Sequence, residues 1–199
     1  MPGIKLFSLR DFPKVDDPEE TGATFKDNAL IKAKYYAEKF KIAALADDGG
    51  LEIDVFHGEP GVKSRRWLDG VHEATDEELI DYCLKKMKGV KNRKAKLTAC
   101  LCLYSTNNSV FTVGNARERS QGNGHNHSLQ IFSQEGIEGV IAEKPAPKIF
   151  PGFPFRSLLW IPKLKKFYNE DEFTESETKK YNHRYRAVGR IKNELRKYL

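Results

Sequence analysis

With 199 residues, 39% of them hydrophobic and 31% charged, the chain can bury one sizeable core or two small ones, and a disordered or fibrous protein is excluded. No apolar run reaches the length of a membrane span and the first residues lack a signal-peptide core, so a cytoplasmic protein without a membrane partner is expected. A net charge of +6 and a pI near 9.1 favour anionic partners, nucleotides or nucleic acid, without choosing between them.

Ile4 to Leu9 reads as a strand, closed by Asp11-Phe12-Pro13, and residues 14–23 as an acidic loop. Thr24 is an N-cap, with Asp27 three residues on. Phe25, Ala29, Ala33, Tyr36, Ala37 and Phe40 recur at helical spacing and predict a helix over 25–40. Ile42 to Ala46 and Leu51 to Val55 read as two strands, with Asp47-Asp48-Gly49-Gly50 as the reversal between them. Ser64-Arg65-Arg66-Trp67 falls in a loop. Thr75 with Glu78 opens a second helix that carries Leu79, Ile80, Cys83, Leu84 and Met87 on one face and ends at Gly89.

Leu97 to Tyr104 is a strand, paired in a hairpin through Asn107-Asn108 with Val110 to Val113. Residues 114–128 have no period and read as a long loop. Leu129 to Phe132 and Ile137 to Ala142 are short strands, 143–154 is irregular with its four prolines, and Leu158 to Ile161 is apolar. Thr174 with Glu177 opens a helix that runs nearly to Leu199. Its buried stripe is Tyr181, Tyr185, Val188, Ile191 and Leu195, with His183 and Arg184 off the stripe. The three cysteines, Cys83, Cys100 and Cys102, lack metal spacing and are expected as reduced core residues. The sum is a mixed α/β chain whose sheet is not purely parallel, with no interdomain linker.

Asp47 and Asp48 point to opposite faces if their backbone is strand-like, so one acid is offered at the strand end. It suits a Mg²⁺ ligand or a general base, although the tetrapeptide also reads as plain turn chemistry. Glu20 can share a Mg²⁺ with Asp48 if helix 25–40 packs beside the strand; otherwise it belongs to a solvated acidic loop. Lys32, Arg66, His183 and Arg184 are cationic candidates for phosphate. Phe153, Phe155 and Arg156, in Gly152-Phe153-Pro154-Phe155-Arg156, either stack a purine base or plug the core. His125-Asn126-His127 has no acidic partner near it in sequence, so a metal or nuclease reading is set aside. Neither a P-loop nor a dinucleotide fingerprint occurs.

Taken in order, Glu19-Glu20-Thr21-Gly22-Ala23-Thr24-Phe25, Asn28-Ala29, Lys32-Ala33, Leu45-Ala46-Asp47-Asp48-Gly49-Gly50-Leu51, Pro60-Gly61-Val62 and Ser64-Arg65-Arg66-Trp67 resemble the inosine triphosphate pyrophosphatase family. Asn182-His183-Arg184 with Ala187 is similar to its C-terminal Ser-His-Arg motif. The resemblance implies an elongated α/β fold of two lobes around a long mixed sheet, with flanking helices, a central nucleotide cleft and commonly a homodimer. It implies Mg²⁺-dependent hydrolysis of noncanonical purine nucleoside triphosphates (ITP, dITP, XTP) to the monophosphate and pyrophosphate, clearing the nucleotide pool. By the same resemblance Asp48 is the general base, Glu20 and Asp48 hold Mg²⁺, Gly49 contacts substrate, His183 and Arg184 hold the base end, and Lys32 lies on the phosphate side.

The chain departs from that pattern in four places. The family's opening strand and its Ser/Thr-x-Asn-x-x-Lys phosphate loop have no counterpart, so residues 1–199 are expected to form one NTP pyrophosphatase-like domain lacking the first strand and helix. Arg156 stands where the family has an Asp that helps read the base. Thr178 stands at a family lysine, with Lys179 and Lys180 adjacent. Residues 114–136 read as an insertion. Two other functions compete with the enzyme: a catalytically silent nucleotide-binding homologue, and a basic nucleic-acid-binding domain suggested by charge alone.

Overall fold

The computed structural model describes residues 4–106 and 128–198. Its elements, in chain order, are α1 (Phe25–Phe40), β1 (Ala44–Ile53), α2 (Asp76–Lys86), β2 (Lys94–Ser105), β3 (Leu129–Ile141), β4 (Leu159–Ile161), β5 (Lys166–Phe167), α3 (Glu175–Tyr181) and α4 (His183–Leu195). The strands form one five-stranded sheet whose spatial order follows the chain, β1-β2-β3-β4-β5. β3 pairs antiparallel with β4, placing Val140 opposite Trp160, and β4 pairs antiparallel with β5, placing Trp160 opposite Phe167. The chain divides into two compact units, residues 1–47, 100–133 and 188–199 in one and 48–99 and 134–187 in the other. Each boundary falls inside an element (β1, β2, β3 or α4) rather than in a linker.

In the first unit, α1 begins as its sequence dictates. The Thr24 side chain accepts from the Asp27 amide and the Asp27 carboxylate accepts from the Thr24 amide, satisfying two donors that a helix start leaves open. Ala29, Ala33 and Ala37, all fully buried, form a seam of small side chains. They pack on Cys102 and Tyr104 of β2, with Ala44, Ala46 and Phe132 beside them. Phe12 stacks on Phe40 with centroids 4.4 Å apart. Ahead of α1, residues 4–8 are not a strand, and a 3-10 turn covers Leu9–Asp11. Leu6, Phe7 and Leu9 are all exposed, and the apolar run that suggested a strand joins no sheet among the described residues.

The second unit holds the larger core. Trp67 is its aromatic centre, edge-on to Phe56, Tyr82 and Phe155 at 5.3–6.4 Å, with its indole N–H donating to Glu59 at 3.3 Å. α2 opens on the expected Thr75–Glu78 capping box. At its far end the Arg93 guanidinium donates to the Met87 carbonyl at 2.8 Å and to the carbonyls of Ile141 and Ala142, tying the helix end to the end of β3. Cys83, Cys100 and Cys102 are buried, reduced thiols, as expected.

Three further expectations fail for stated physical reasons. Asp47-Asp48-Gly49-Gly50 is not a hairpin; it runs through the middle of β1. Neither glycine takes positive φ, and a Cβ on Gly49 would lie 2.3 Å from the Thr98 carbonyl oxygen of β2. Glycine serves close approach there, not reversal. β3 is likewise one strand rather than two, and a Cβ on Gly139 would lie 2.5 Å from the Trp160 carbonyl oxygen. The last helix is two helices, broken at Asn182, whose ψ of 105° is extended. The Asn182 side-chain oxygen accepts from the Tyr185 amide at 2.9 Å, which makes it the N-cap of α4. The break resets the helix face: Tyr185 and Val188 are exposed, whereas His183, Ala187, Ile191 and Leu195 are buried. The expected second hairpin strand (Val110 to Val113), its Asn107-Asn108 turn and His125-Asn126-His127 lie outside the described residues.

Candidate active site

A pocket of about 150 Å³ lies within the second unit. Its floor is Gly49 and Gly50 of β1 with Leu97 and Thr98 of β2. One wall is Ser64 and Arg65 from a 3-10 stretch together with Leu79 of α2, and the other is the loop from Gly152 to Arg156 with His183 and Arg184 at the start of α4. Among the described residues three guanidiniums and no carboxylate line it. That lining is suited to an anionic, aromatic ligand.

Each part is held from behind. Asp76, the first residue of α2, pairs with Arg65 at 2.6 Å and also accepts the Gly152 amide at 2.6 Å. One carboxylate thus anchors both walls. Gly152 sits at φ +83°, a conformation that side chains disfavour. The two phenylalanines beyond it separate in role. Phe155 is buried against Trp67 and plugs the core, whereas Phe153 is 43% exposed and offers a ring face. The Arg156 guanidinium lies 4.0 Å from the centroid of that ring, and Arg184 lies 5.7 Å from it.

Arg156 is also committed to Glu170, at 3.2 Å. Burial pulls its pKa down, and Glu170 works in the opposite direction. The same Glu170 oxygen accepts the Tyr168 hydroxyl at 2.8 Å, and that hydroxyl lies 3.0 Å from His183 Nδ1. His183 is 1% exposed. Burial, reinforced by Arg184, Arg156 and Arg186, pushes its pKa down to about 3, so the imidazole is neutral at pH 7. Arg186 holds the corner between α3 and α4, donating to the carbonyls of Lys180 and Gly136 at 2.6 Å each and pairing with Glu135 at 2.9 Å.

Of the residues expected from sequence, Gly49, Phe153, Phe155, Arg156, His183 and Arg184 come together around this pocket. Asp48 immediately precedes the floor glycines, half-buried, with Asp47 exposed beside it; the two acids take opposite faces of the strand. Glu20 and Lys32 belong to the other unit and pair with each other at 3.1 Å. Arg66 is not in the lining and faces Glu73 at 3.9 Å, while its neighbour Arg65 supplies the cation. Lys179 pairs with Glu175, and neither it nor Lys180 lines the pocket. Sequence reading missed Arg65, Asp76, Tyr168 and Glu170. An Asp at the first turn of a capped helix and an Asn inside an apparent helix were the available signals for two of these features, the Asp76 anchor and the turn that buries His183.

Among the described residues no group of three or more His, Cys, Asp or Glu side chains is gathered as for a metal cage. Mg²⁺ does not require one, since it is commonly held by one or two carboxylates with water and substrate phosphates completing its shell. No helix of the described residues is long and apolar enough to cross a membrane.

The chain is similar to known proteins in both sequence and fold. A dITP/XTP pyrophosphatase of Thermus thermophilus is 37% identical over 188 residues, covering 94% of this chain and 77% of the relative. One from an Exiguobacterium species is 33% identical over 193 residues, covering 97% and 85%. The structure of the Ham1 protein of Staphylococcus aureus superposes with a TM-score of 0.67 at 25% identity, over 96% of this chain and 84% of that one. A Ham1 protein from Coxiella burnetii gives the same TM-score at 28% identity, over 92% and 82%. The sequence pattern of the Ham1 family itself matches residues 2–194, and the chain belongs to the Ham1 family.

Proposed function

We propose that the protein hydrolyses noncanonical purine nucleoside triphosphates, ITP, dITP and XTP, to the monophosphate and pyrophosphate. The observation that carries this reading is the pocket itself. An exposed Phe153 ring flanked by two guanidiniums faces a glycine floor, and a buried neutral histidine forms part of the lining. It accepts one planar base. The relatives named dITP/XTP pyrophosphatase act as the name says on such nucleotides, and the family resemblance carries the same activity to this chain.

Asp48 is the proposed base that takes the proton from water as it adds at the anhydride, and a proposed Mg²⁺ ligand, its oxygens being the hard donors that ion prefers. Mg²⁺ held at Asp48 would supply charge neutralisation for the polyphosphate and for the leaving pyrophosphate. Phe153 with Arg156, His183 and Arg184 fixes the base end, Phe155 supports that loop from the core, and Gly49 lets substrate approach the β1 backbone. For Glu20 as second metal ligand and Lys32 as phosphate contact, the reading rests on the family resemblance, and the pair they form with each other would have to open. A cytoplasmic location is proposed on the three buried, reduced cysteines, which fit a reducing compartment, and a homodimer on the resemblance. The nucleic-acid reading has only net charge behind it.

The test is product analysis. With Mg²⁺ the protein is expected to release pyrophosphate and monophosphate from ITP, dITP and XTP with far higher kcat/KM than from ATP. Binding without turnover, or orthophosphate as the product, would count against it.

A further inference from the structure

His183 has two ring nitrogens in unlike circumstances. Nδ1 is 3.0 Å from the Tyr168 hydroxyl, while Nε2 is buried without a hydrogen-bond partner among the described residues. A buried polar atom left unpaired is costly, and native structures rarely tolerate one without a reason. The residue that carries it lines the pocket, and Tyr168 does not.

The proton positions follow from counting. Glu170 is paired with Arg156, so its carboxylate only accepts. The Tyr168 hydroxyl has one proton, and at 2.8 Å that proton goes to Glu170 Oε1. Burial raises the Tyr168 pKa and Glu170 adds to the effect, so the phenol keeps its proton. The phenolic oxygen is then left only its lone pairs for His183, and Nδ1 must be the donor. A neutral imidazole carries one ring proton, so Nε2 is bare.

We propose that Glu170, acting through Tyr168, is a positioning residue that locks His183 in the Nδ1–H tautomer, so that the base end of the pocket is an acceptor selecting 6-oxopurines, which carry an N1–H, over 6-aminopurines, which do not. This rests on the proposed function and adds the group that discriminates. Hypoxanthine and xanthine offer a proton at N1, whereas adenine offers a lone pair, which a bare Nε2 repels. Guanine also carries N1–H, so this device excludes adenine nucleotides and leaves guanine to other contacts.

Long-range ¹⁵N–¹H spectra of the full chain at pH 7 report the tautomer directly, and titration with IMP and AMP reports selection without requiring turnover. The wild type is expected to show Nδ1 protonated and Nε2 bare, with IMP bound at least tenfold more tightly than AMP. Glu170→Gln, whose amide can donate to Tyr168, is expected to populate the Nε2–H tautomer and to narrow the IMP to AMP ratio at least threefold. Arg156→Gln, which removes the ion pair but leaves the carboxylate, is expected to keep the wild-type tautomer. An Nε2–H or doubly protonated His183 in the wild type overturns the proposal. So does an unchanged ratio in Glu170→Gln once its tautomer has shifted. Absence of hydrolysis alongside the expected tautomer and ratio would overturn the proposed enzyme activity and leave this assignment standing.

Discussion

Gly49 and Gly152 both line the pocket, and they are glycine for opposite reasons. Gly49 sits in a regular strand with no unusual φ, pressed so close to β2 that a methyl group would meet the Thr98 carbonyl at 2.3 Å. Gly152 has room, since its nearest neighbour would be Arg65 at 3.9 Å, but its φ of +83° suits no other residue well. The floor is therefore set by packing, which fails abruptly. The loop wall is set by backbone conformation and by Asp76, which fail by degrees. The proposed base, Asp48, is the residue immediately before that stiff floor.

That contrast predicts a ranking of effects. The largest is expected from Asp48→Asn, which leaves the strand intact and removes the proposed base: kcat for ITP should fall by about 10²–10⁴-fold with KM little changed. A loss of less than tenfold would move the base elsewhere. Next comes acid sensitivity at the histidine corner. The folded-state pKa of His183 is depressed to about 3 from 6.5, so stability is fully present above pH 6.5. It is lost as pH falls toward 3, at up to roughly 1.4 kcal/mol per pH unit. Denaturant midpoints measured from pH 7 to pH 4 should fall less steeply in His183→Gln than in the wild type, and parallel curves would remove His183 as the cause.

The two glycines then break or sharpen the comparison between themselves. Gly49→Ala should cost about 1–3 kcal/mol by forcing the two strands apart, and should depress activity as well, because the floor moves. Gly152→Ala should cost about 1 kcal/mol, from φ alone, and should raise KM more than it lowers kcat. Equal costs in urea denaturation would mean that the two walls are held alike.

The sequence made local features legible wherever capping and period agreed. α1 and α2 start and stop as their capping boxes and apolar spacing indicate, because those signals act within a few residues. It misled where Gly49-Gly50 reads as a turn, and where the gap between Phe132 and Ile137 divides β3 in two, since strand-to-strand approach depends on residues far away in the chain. The corner at Asn182 was hidden for a related reason. A continuous helical pattern concealed an N-cap whose effect is to bury His183, and the network behind it joins residues from 156 to 183. Six of the site residues named from sequence, Gly49, His183 and Arg184 by resemblance and Phe153, Phe155 and Arg156 by their side-chain chemistry, do meet at one pocket, yet Asp76, Tyr168 and Glu170, which hold them, carry no motif of their own.

The central claim is that the base of a purine nucleotide occupies the pocket between the β1 glycines and the α4 start. A crystal structure of Asp48→Asn with ITP and Mg²⁺ tests it most directly. The hypoxanthine should lie over Gly49 and Gly50, against Phe153, with its N1 edge toward His183 and its phosphates toward residue 48. A base lying anywhere else, with this pocket empty, would contradict the account.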